Sequence, residues 1–353
     1  MKRVAIIGHF AYGFEYLDGQ TIKTKIISKE MRREFGDNEV EEIDTHGGWT
    51  TLCKAPFQVF SALRDNRNVI MMPAHNGLRV YAPLLKYARK FFRKRKLHYI
   101  VIGGWLPEFI KKHKFTCRCL KTFDCIYVET TTMKKSMEKE GFTNICVMPN
   151  CKKLRILSKD ELVFQYSEPY KICTFSRVLK QKGIEDAVNA VQTINHMANR
   201  VVYTLDIYGP VDSGEKEWFN KLRKDFPEYI NYMGSVSADK SIDVLKNYFI
   251  LLFPTHFYTE GVPGTIIDAY AAGIPVVSSR WESFEDIIDE GTTGFGFSFG
   301  SVDDLVQVLY RIAQSPQMVS ELKPYCLDKA KEYMPEKIAN ILTIGGDNQF
   351  SLD

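Results

Sequence analysis

The chain lacks several features that would have decided its class at once. None of its apolar runs approaches the roughly 20 residues needed to cross a bilayer, and the longest, residues 248–254, has the length of a strand. A transmembrane protein is therefore not expected. Only a few apolar residues separate Lys2 and Arg3 from Gly8, so the N-terminus offers no signal-peptide core, which predicts a cytoplasmic protein.

The eight cysteines contain no C-x-x-C pair, and the single C-x-C, Cys117 and Cys119, has no His/Cys partner pair at zinc-finger spacing. This favours reduced, buried thiols and no metal site. With 353 residues and 45% apolar composition, the chain is long enough for two ordinary domains. Small disulfide-stapled scaffolds are thereby excluded.

The net charge of +4 hides a strong asymmetry. Residues 1–150 carry 26 Lys/Arg against 15 Asp/Glu, whereas the remainder of the chain is acidic. Between Lys86 and Lys121 there are twelve basic residues and one acid, Glu108. Such a stretch predicts a polyanionic partner: an anionic membrane surface, nucleic acid or a phosphorylated substrate.

An amphipathic pattern within the basic stretch favours the membrane surface. In a helix, the apolar residues would share one face with basic residues around them, as in interfacial helices. These apolar residues are Leu84, Leu85, Ala88, Phe91 and Phe92. The alternative is a solvated helix with an ordinary core stripe. A nucleic-acid partner is not expected, since no recognition module accompanies the stretch.

Short apolar strands alternate with helix-length amphipathic stretches throughout the chain, which predicts parallel sheets covered by helices. The expected strands are residues 3–8, 40–44, 69–73, 99–103, 125–128, 145–148, 170–175, 201–208, 230–233, 249–254, 275–278 and 294–297. Helical pattern follows from residue 302 to about 343.

The alternation of strands and helices is interrupted once, in the charged segment 151–169, which predicts a linker between two domains. The expected fold class is α/β, with two tandem Rossmann-like, doubly wound parallel-sheet domains and an interdomain cleft. The first domain would span 1–150 and the second 170–330. Residues 331–353 would form a C-terminal helix and tail packing back toward the N-terminal domain.

The most informative motif runs from Pro254 to Val277. A strand leads into a Gly/Pro loop, and a helix begins near Gly264 and Thr265, where free amide groups and the helix dipole favour a phosphate. Glu260 precedes this helix and Asp268 lies within it, so both carboxylates are candidates for binding sugar hydroxyls. The alternative is an acid that complements the dipole and an ordinary surface Asp.

A second motif follows the strand at 170–175. Arg177 and Lys182 lie on a loop at its carboxyl end, where a guanidinium fork and a point charge can neutralise a diphosphate. The alternative is a pair of solvated loop cations.

Together these segments resemble family 4 glycosyltransferases of the two-Rossmann-domain (GT-B) type. Members carry E-G-x-P-x-x-x-x-E-A, matched here from Glu260 to Ala269, and R-x-x-x-x-K-G, matched from Arg177 to Gly183. Weaker similarities cover Pro149-Asn150, Ile207-Tyr208-Gly209, Met233-Gly234-Ser235-Val236 and Gly291 to Gly294. The run from Asp268 to Val277, with Trp281 and Glu285, resembles a branch found in bacterial capsule and surface-polysaccharide pathways.

The resemblance implies retaining transfer of a sugar from a nucleotide donor without metal ions or other cofactors. Glu260 would hold the donor sugar, Asp268 the ribose, and Arg177 and Lys182 the diphosphate. Gly264 and Thr265 amides would add to the phosphate site. Gly209, Ser235 and Val236 would lie around the base. Two departures are the shorter Asp268 where the family has Glu, and Cys151-Lys152 where it has G-V-D.

The first domain has fewer motifs. Gly19 can bring backbone against the diphosphate at the start of a helix, and no G-x-G-x-x-G occurs there, which argues against a dinucleotide oxidoreductase. His75 follows the third strand and resembles a family position that reaches the donor sugar or the reaction centre. The alternative for His75 is a satisfied core histidine. His9, at the end of the first strand, is a weaker candidate.

We therefore expect a retaining glycosyltransferase that uses a UDP-sugar and a lipid-linked or oligosaccharide acceptor in bacterial surface-polysaccharide synthesis. It would attach peripherally to the inner face of the cytoplasmic membrane. Two alternatives remain: a nucleotide-sugar epimerase on the same scaffold, and a non-catalytic nucleotide-sugar binding module.

Overall fold

The computed structural model of the chain describes residues 1–14, 19–47 and 49–343. It contains two compact units. The first comprises Met1–Lys153 together with the chain from Tyr333 onward, and the second comprises Leu154–Glu332. Within the described ranges, no helix is both long enough and apolar enough to span a membrane.

The first unit is built on a six-stranded sheet in the order β2-β1-β3-β4-β5-β6, in which all strand pairs are parallel. Its strands are β1 (Lys2–Gly8), β2 (Val40–Asp44), β3 (Asn66–Met71), β4 (Lys96–Ile100), β5 (Cys125–Val128) and β6 (Ile145–Val147). Its helices are α1 (Gly19–Phe35), α2 (Trp49–Asp65), α3 (His75–Ala88), α4 (Leu106–Lys112), α5 (Lys114–Leu120), α6 (Thr131–Lys139) and, from the end of the chain, α14 (Pro335–Thr343).

Helices cover both faces of this sheet, which is why its strands are continuous apolar runs. On β1, Ala5 and Ile7 join the core formed with α2 to α6, whereas Val4 and Ile6 join the core formed with α1 and α14. All four side chains are completely buried. Successive residues of a strand point to opposite faces, so one short run supplies two cores.

The second unit has a six-stranded parallel sheet in the order β12-β11-β10-β7-β8-β9. Its strands are β7 (Tyr170–Phe175), β8 (Tyr203–Tyr208), β9 (Ile230–Gly234), β10 (Ile250–Phe253), β11 (Val276–Ser279) and β12 (Gly294–Phe297). Its helices are α7 (Ile184–Ala198), α8 (Lys216–Lys224), α9 (Ser241–Leu245), α10 (Gly264–Ala271), α11 (Phe284–Ile287), α12 (Val302–Gln314) and α13 (Gln317–Ala330). The expected α/β class with two doubly wound parallel sheets is confirmed.

All twelve expected strands are present, and the largest displacement of their ends is at β3 and β4. These strands begin at Asn66 and Lys96, earlier than the apolar pattern indicated. Asn66 pairs with Lys2 of β1, and Lys96 pairs with Asn68 of β3. Polar residues at strand ends extend the ladder without contributing to the apolar signal.

The segment between the two sheets packs on both units. Cys151 is buried in the core of the first unit. Leu157 is 3% exposed, and its amide donates to the carbonyl of Ala271, 2.9 Å away in the second unit. The expected linker 151–169 is thus held against folded structure, and the units divide after Lys153.

The C-terminal helix belongs to the first unit. Leu342 of α14 is 2% exposed and lies in the core that also contains Ile27 and Met31 of α1. An ion pair between Arg33 and Glu336 joins the same two helices, with 3.5 Å between the charged atoms. The tail predicted beyond this helix, from residue 344, lies outside the described residues.

The prediction of an interfacial helix in the basic stretch is wrong. Helix α3 ends at Ala88, a 3-10 turn follows at Arg89–Phe91, and β4 begins at Lys96. Leu85 is fully buried, and Leu84, Ala88 and Phe92 pack against the same core. The apolar stripe is therefore an ordinary core face, and only Phe91, at 83% exposure, points away from it.

A buried lysine in α13 provides a test of the second unit. Lys323 is 1% exposed; its ammonium lies 3.4 Å from the carbonyl of Gly273 and 5.0 Å from the ring centre of Tyr166. In the described part of the chain it has no carboxylate partner. Burial lowers the pKa of Lys323 to about 8.

We predict that Lys323→Met stabilises the protein at pH 7 by about 2–3 kcal/mol, since it removes an uncompensated buried charge. Below pH 8 the lysine is protonated in both states. Between pH 8 and the normal lysine pKa only the unfolded state binds the proton, so wild-type stability rises toward that of the variant. Urea unfolding at pH 7 and pH 10 measures this, with exposed Lys331→Met as control. A less stable variant at pH 7 would contradict the prediction.

Candidate functional site

The carboxyl ends of the strands in the second unit gather the predicted donor-site residues. In a parallel sheet these ends meet at one edge, where ligands bind. The loops that follow β7, β8, β9 and β10 carry Lys182, Gly209, Ser235 and Glu260, respectively. The structure thus brings the two main sequence motifs to the same edge of one sheet.

Lys182 and Glu260 are in direct contact. The ammonium nitrogen lies 2.7 Å from a carboxylate oxygen, and the side chains are 16% and 20% exposed. The Thr255 hydroxyl donates to the same carboxylate at 3.3 Å. The Lys182 ammonium also lies 5.2 and 5.0 Å from the ring centres of Phe253 and Phe257, so part of its surroundings is aromatic.

The loops that carry this ion pair are packed backbone to backbone. Gly183 has φ of +68°, and a Cβ atom there would lie 1.8 Å from the carbonyl oxygen of Pro254. The amide of His256 donates to the carbonyl of Gln181 at 2.8 Å. Glycine is therefore required at 183 both by its backbone conformation and by space.

A second connection joins the same two segments. The imidazole Nε2 of His256 lies 2.6 Å from a carboxylate oxygen of Asp186 in the first turn of α7. This pair ties the loop after β10 to the helix that follows Lys182. Sequence reasoning missed both residues, because their positions are 70 residues apart and only the fold brings them together.

Helix α10 begins at Gly264, directly after Pro263, which provides no side-chain cap. The amides of Gly264 and Thr265 precede the first intrahelical hydrogen bond and carry the positive end of the dipole. The Thr265 hydroxyl oxygen is buried and, within the described residues, has no hydrogen-bond partner. This end of the helix therefore offers donors suited to an anion.

Arg177 lies at the same sheet edge but makes a different contact. Its guanidinium is 56% exposed and pairs with Asp212, which follows β8, with 3.5 Å between the charged atoms. The joint action of Arg177 and Lys182 on one diphosphate stays a prediction.

Asp268 is only 3% exposed, in the second turn of α10. A ribose could reach its carboxylate only after neighbouring side chains move. The sequence pattern indicated an accessible acid at this position, but it gave no information on how closely the helix packs. Ribose binding by Asp268 stays a prediction.

The residues predicted to surround the base follow β8 and β9. The amide of Gly209 donates to the carbonyl of Gly234 at 2.9 Å, which joins the two loops. Gly209 has φ of +131°, and a Cβ atom there would lie 1.8 Å from the carbonyl oxygen of Ser176. Ser235 is exposed and Val236 partly buried. The structure explains Gly209 by packing alone, without a ligand.

In the first unit, Gly19 is the first residue of α1, and no described heavy atom lies within 4 Å of the position its Cβ would take. His75, the first residue of α3, has φ of +31°, a strained value for a residue with a side chain. It is exposed, so the alternative of a core histidine is wrong.

His75 belongs to an aromatic cluster at the carboxyl edge of the first sheet. Its ring stacks on Trp105, with 4.1 Å between centres, and Phe109 stacks on His113 at 4.0 Å. Arg79 contacts both Phe109 and His113. Partial desolvation lowers the pKa of His75, and the neighbouring Arg79 and His113 side chains lower it further.

His9 lies at this edge as well, in a chain of side-chain hydrogen bonds. Its Nδ1 lies 2.8 Å from the Thr21 hydroxyl and its Nε2 lies 3.1 Å from Nδ1 of His46. His46 follows β2 and was not singled out by sequence reasoning. Within the described residues, no group of three or more His, Cys, Asp or Glu side chains is placed to hold a metal ion.

A comparison with known protein families gives a match for the part of the chain that forms the second sheet. Residues 169–315 match the family described as Glycosyl transferases group 1. These residues are similar to a glycosyltransferase domain. The matched range contains all six strands of the second sheet and the Lys182–Glu260 pair. It covers less than half of the chain, and the first unit lies outside it.

Two curated relatives are similar over about half of the chain. The amylovoran biosynthesis glycosyltransferase AmsK of Erwinia amylovora is 24% identical over 181 residues, which cover 50% of this chain and 42% of AmsK. The alpha-monoglucosyldiacylglycerol synthase of Acholeplasma laidlawii is 28% identical over 185 residues, which cover 51% of this chain and 44% of that protein. The chain thus spans less than half the length of these relatives.

The fold is similar to that of HepE from Anabaena, solved in complex with UDP. The TM-score is 0.73 at 14% sequence identity, over 97% of this chain and 98% of HepE. Together with the family match, this similarity supports a GT-B scaffold. At this identity, the comparison establishes the fold and assigns no donor.

The close approach at Gly183 in the glycosyltransferase domain gives a matched test. Gly183→Ala should destabilise the protein far more than Gly291→Ala, since both glycines have nearly the same φ but Gly291 has open space around it. We expect about 1 kcal/mol for Gly291→Ala from the backbone alone. Gly183→Ala must also displace the Pro254 carbonyl. Urea unfolding of both variants measures the difference, and equal losses would contradict the packing described.

Proposed function

We propose that the protein is a retaining glycosyltransferase that moves a sugar from a UDP-sugar to a hydroxyl of a lipid-linked or saccharide acceptor. The observation that carries this proposal is the contact between Lys182 and Glu260 beside the start of α10, inside the matched domain. A cation, a carboxylate and an uncapped helix start are the groups that a sugar diphosphate requires.

The diphosphate binds through Lys182, Arg177 and the amides of Gly264 and Thr265. In glycosyl transfer, negative charge develops on the leaving diphosphate as its bond to the sugar breaks. Donors fixed in position before the reaction stabilise that charge without reorganising. The buried Thr265 hydroxyl has no hydrogen-bond partner among the described residues, and a small local movement would let it donate to a bound phosphate.

Glu260 binds hydroxyls of the donor sugar. Its carboxylate is held by Lys182 and by the Thr255 hydroxyl, which fixes its direction. When the diphosphate binds, it shares Lys182 with Glu260, and phosphate and sugar are then recognised by adjacent groups. Asp268 serves the ribose, and Gly209, Ser235 and Val236 lie around the base.

Transfer proceeds with retention and without a metal ion, by attack of the acceptor hydroxyl on the face that the diphosphate leaves. The acceptor proton passes to the departing phosphate oxygen, so no enzyme nucleophile is needed. The positive charge comes from Lys182, Arg177 and α10. The first unit selects the acceptor.

The name of AmsK, an amylovoran biosynthesis glycosyltransferase, supports a glycosyltransferase of a biosynthetic pathway, and we place that pathway in surface-polysaccharide synthesis. The UDP complex of HepE supports a uridine donor. The alpha-monoglucosyldiacylglycerol synthase supports a lipid-linked acceptor.

We predict that Lys182→Gln and Glu260→Gln each lower kcat for transfer by about 10²- to 10³-fold, since each removes a group placed at the reacting bond. Lys180→Gln and Glu285→Gln, which remove exposed charges nearby, should stay within about threefold. UDP release from a panel of UDP-sugars and acceptors, assayed in EDTA, measures turnover, and NMR of the product reports the anomeric configuration. Donor consumption without acceptor, inversion, or loss of activity in EDTA would contradict the proposal.

We further propose peripheral attachment of the protein to the inner face of the cytoplasmic membrane through the basic stretch 86–121. Three exposed aromatic side chains lie in or beside this stretch: Tyr87, Phe91 and Phe115. Exposed aromatic rings interleaved with basic residues suit the interface of an anionic bilayer.

Sedimentation with vesicles tests this attachment. We expect the protein to sediment with vesicles containing phosphatidylglycerol at about 50 mM salt and to be released at about 500 mM, since screening weakens surface electrostatics. Vesicles of phosphatidylcholine alone should leave it in the supernatant. Equal recovery with neutral and anionic vesicles would count against attachment.

A further inference from the structure

A shallow, open basic pocket lies on the first unit. It has a volume of about 370 Å³ and is lined by Lys86, Arg89, Lys90, Arg93 and Thr122. Four of its five lining residues are cations. Nothing in the proposed transfer reaction uses any of them.

Arg89 fixes one wall of the pocket. Its guanidinium donates to the carbonyl of Thr122 at 2.9 Å and pairs with Asp124, with 2.9 Å between the charged atoms. Asp124 in turn accepts from the amide of Leu97 at 2.8 Å. The one carboxylate at the pocket is therefore already engaged, and Arg89 is held in a defined orientation.

The other three cations have no such partner. In the described part of the chain, Lys86, Lys90 and Arg93 make no ion pair with a carboxylate. The ammonium groups of Lys86 and Lys90 lie 5.6 and 5.4 Å from the ring centre of Tyr87, so both are close to the same ring. Like charges held together in this way repel one another, and an anion that enters the pocket removes that cost.

Within the first unit, the pocket lies at the opposite edge of the sheet from His75. Helix α3 leaves the carboxyl edge of the sheet after β3 and runs back to the amino edge before β4, a distance of roughly 21 Å for 14 residues. His75 begins this helix, and the pocket residues lie at and beyond its end. Thr122 comes just before β5, which places it at the same amino edge.

We propose that this pocket is a phosphate-binding site, distinct from the donor site. A phosphate offers several oxygens to a guanidinium fork and to the point charges of lysines, and it carries up to two negative charges. Two sources share this chemistry: the phosphate of a lipid headgroup and free phosphate. The exposed ring of Phe91 beside the pocket suits the lipid headgroup. The proposal does not depend on the transferase assignment.

The test compares two double variants with equal loss of charge. Lys86→Gln/Arg93→Gln removes two pocket cations, and Lys135→Gln/Lys139→Gln removes two exposed cations of α6, outside the basic stretch. Inorganic phosphate is titrated at constant ionic strength, with calorimetry or thermal shift as readout. Phosphatidylcholine vesicles containing either phosphatidic acid or, as a charge-matched control without a phosphomonoester, oleate are used for sedimentation.

We expect saturable binding of inorganic phosphate, of phosphatidic acid vesicles or of both, weakened roughly tenfold or more in the pocket variant and unchanged in the control. If only inorganic phosphate binds, the ligand is a free anion. If phosphatidic acid vesicles bind more strongly than oleate vesicles, the ligand is a lipid headgroup. Equal losses in both variants, or saturable binding of neither probe, would overturn the pocket. The separate proposal of membrane attachment is contradicted if the protein binds no anionic vesicle. The proposed transferase activity is contradicted, independently of both, if no donor is turned over.

Discussion

The candidate transfer site depends on the backbone contact between Gly183 and the carbonyl of Pro254. This contact brings the loop after β7 against the loop after β10, and it places Lys182 where its ammonium meets Glu260. The His256–Asp186 pair strengthens the same junction from the other side. Two motifs that lie far apart in the sequence therefore act as one structural element.

The sequence was sufficient to predict the two sheets and the motifs of the second unit. Apolar runs such as Ile250 to Phe253 are buried on both faces, so their composition alone marks them as central parallel strands. The loops that follow are marked by glycine and proline, and parallel pairing brings them to one edge. These properties are local, and local properties can be deduced from a sequence.

Properties that depend on tertiary packing were not predictable. Asp268 was expected to be accessible and is buried, and Arg177 pairs with Asp212 instead of lying free. The stripe on α3 has the same spacing in a core helix as in an interfacial one, and only the presence of the sheet beneath it decides between them. His46 and Asp186 give no signal in the sequence, because their partners come from distant segments.

The return of the chain to the first unit has a consequence for folding during synthesis. Helix α14, which covers α1, is the final element described and emerges from the ribosome only after the whole second unit has been made. Until α14 is made, Ile27 and Met31 of α1 lack part of the core that buries them in the folded protein. A fragment ending at Lys153 would leave that surface exposed. A fragment of the first unit therefore has to include α14 as well as residues 1–153.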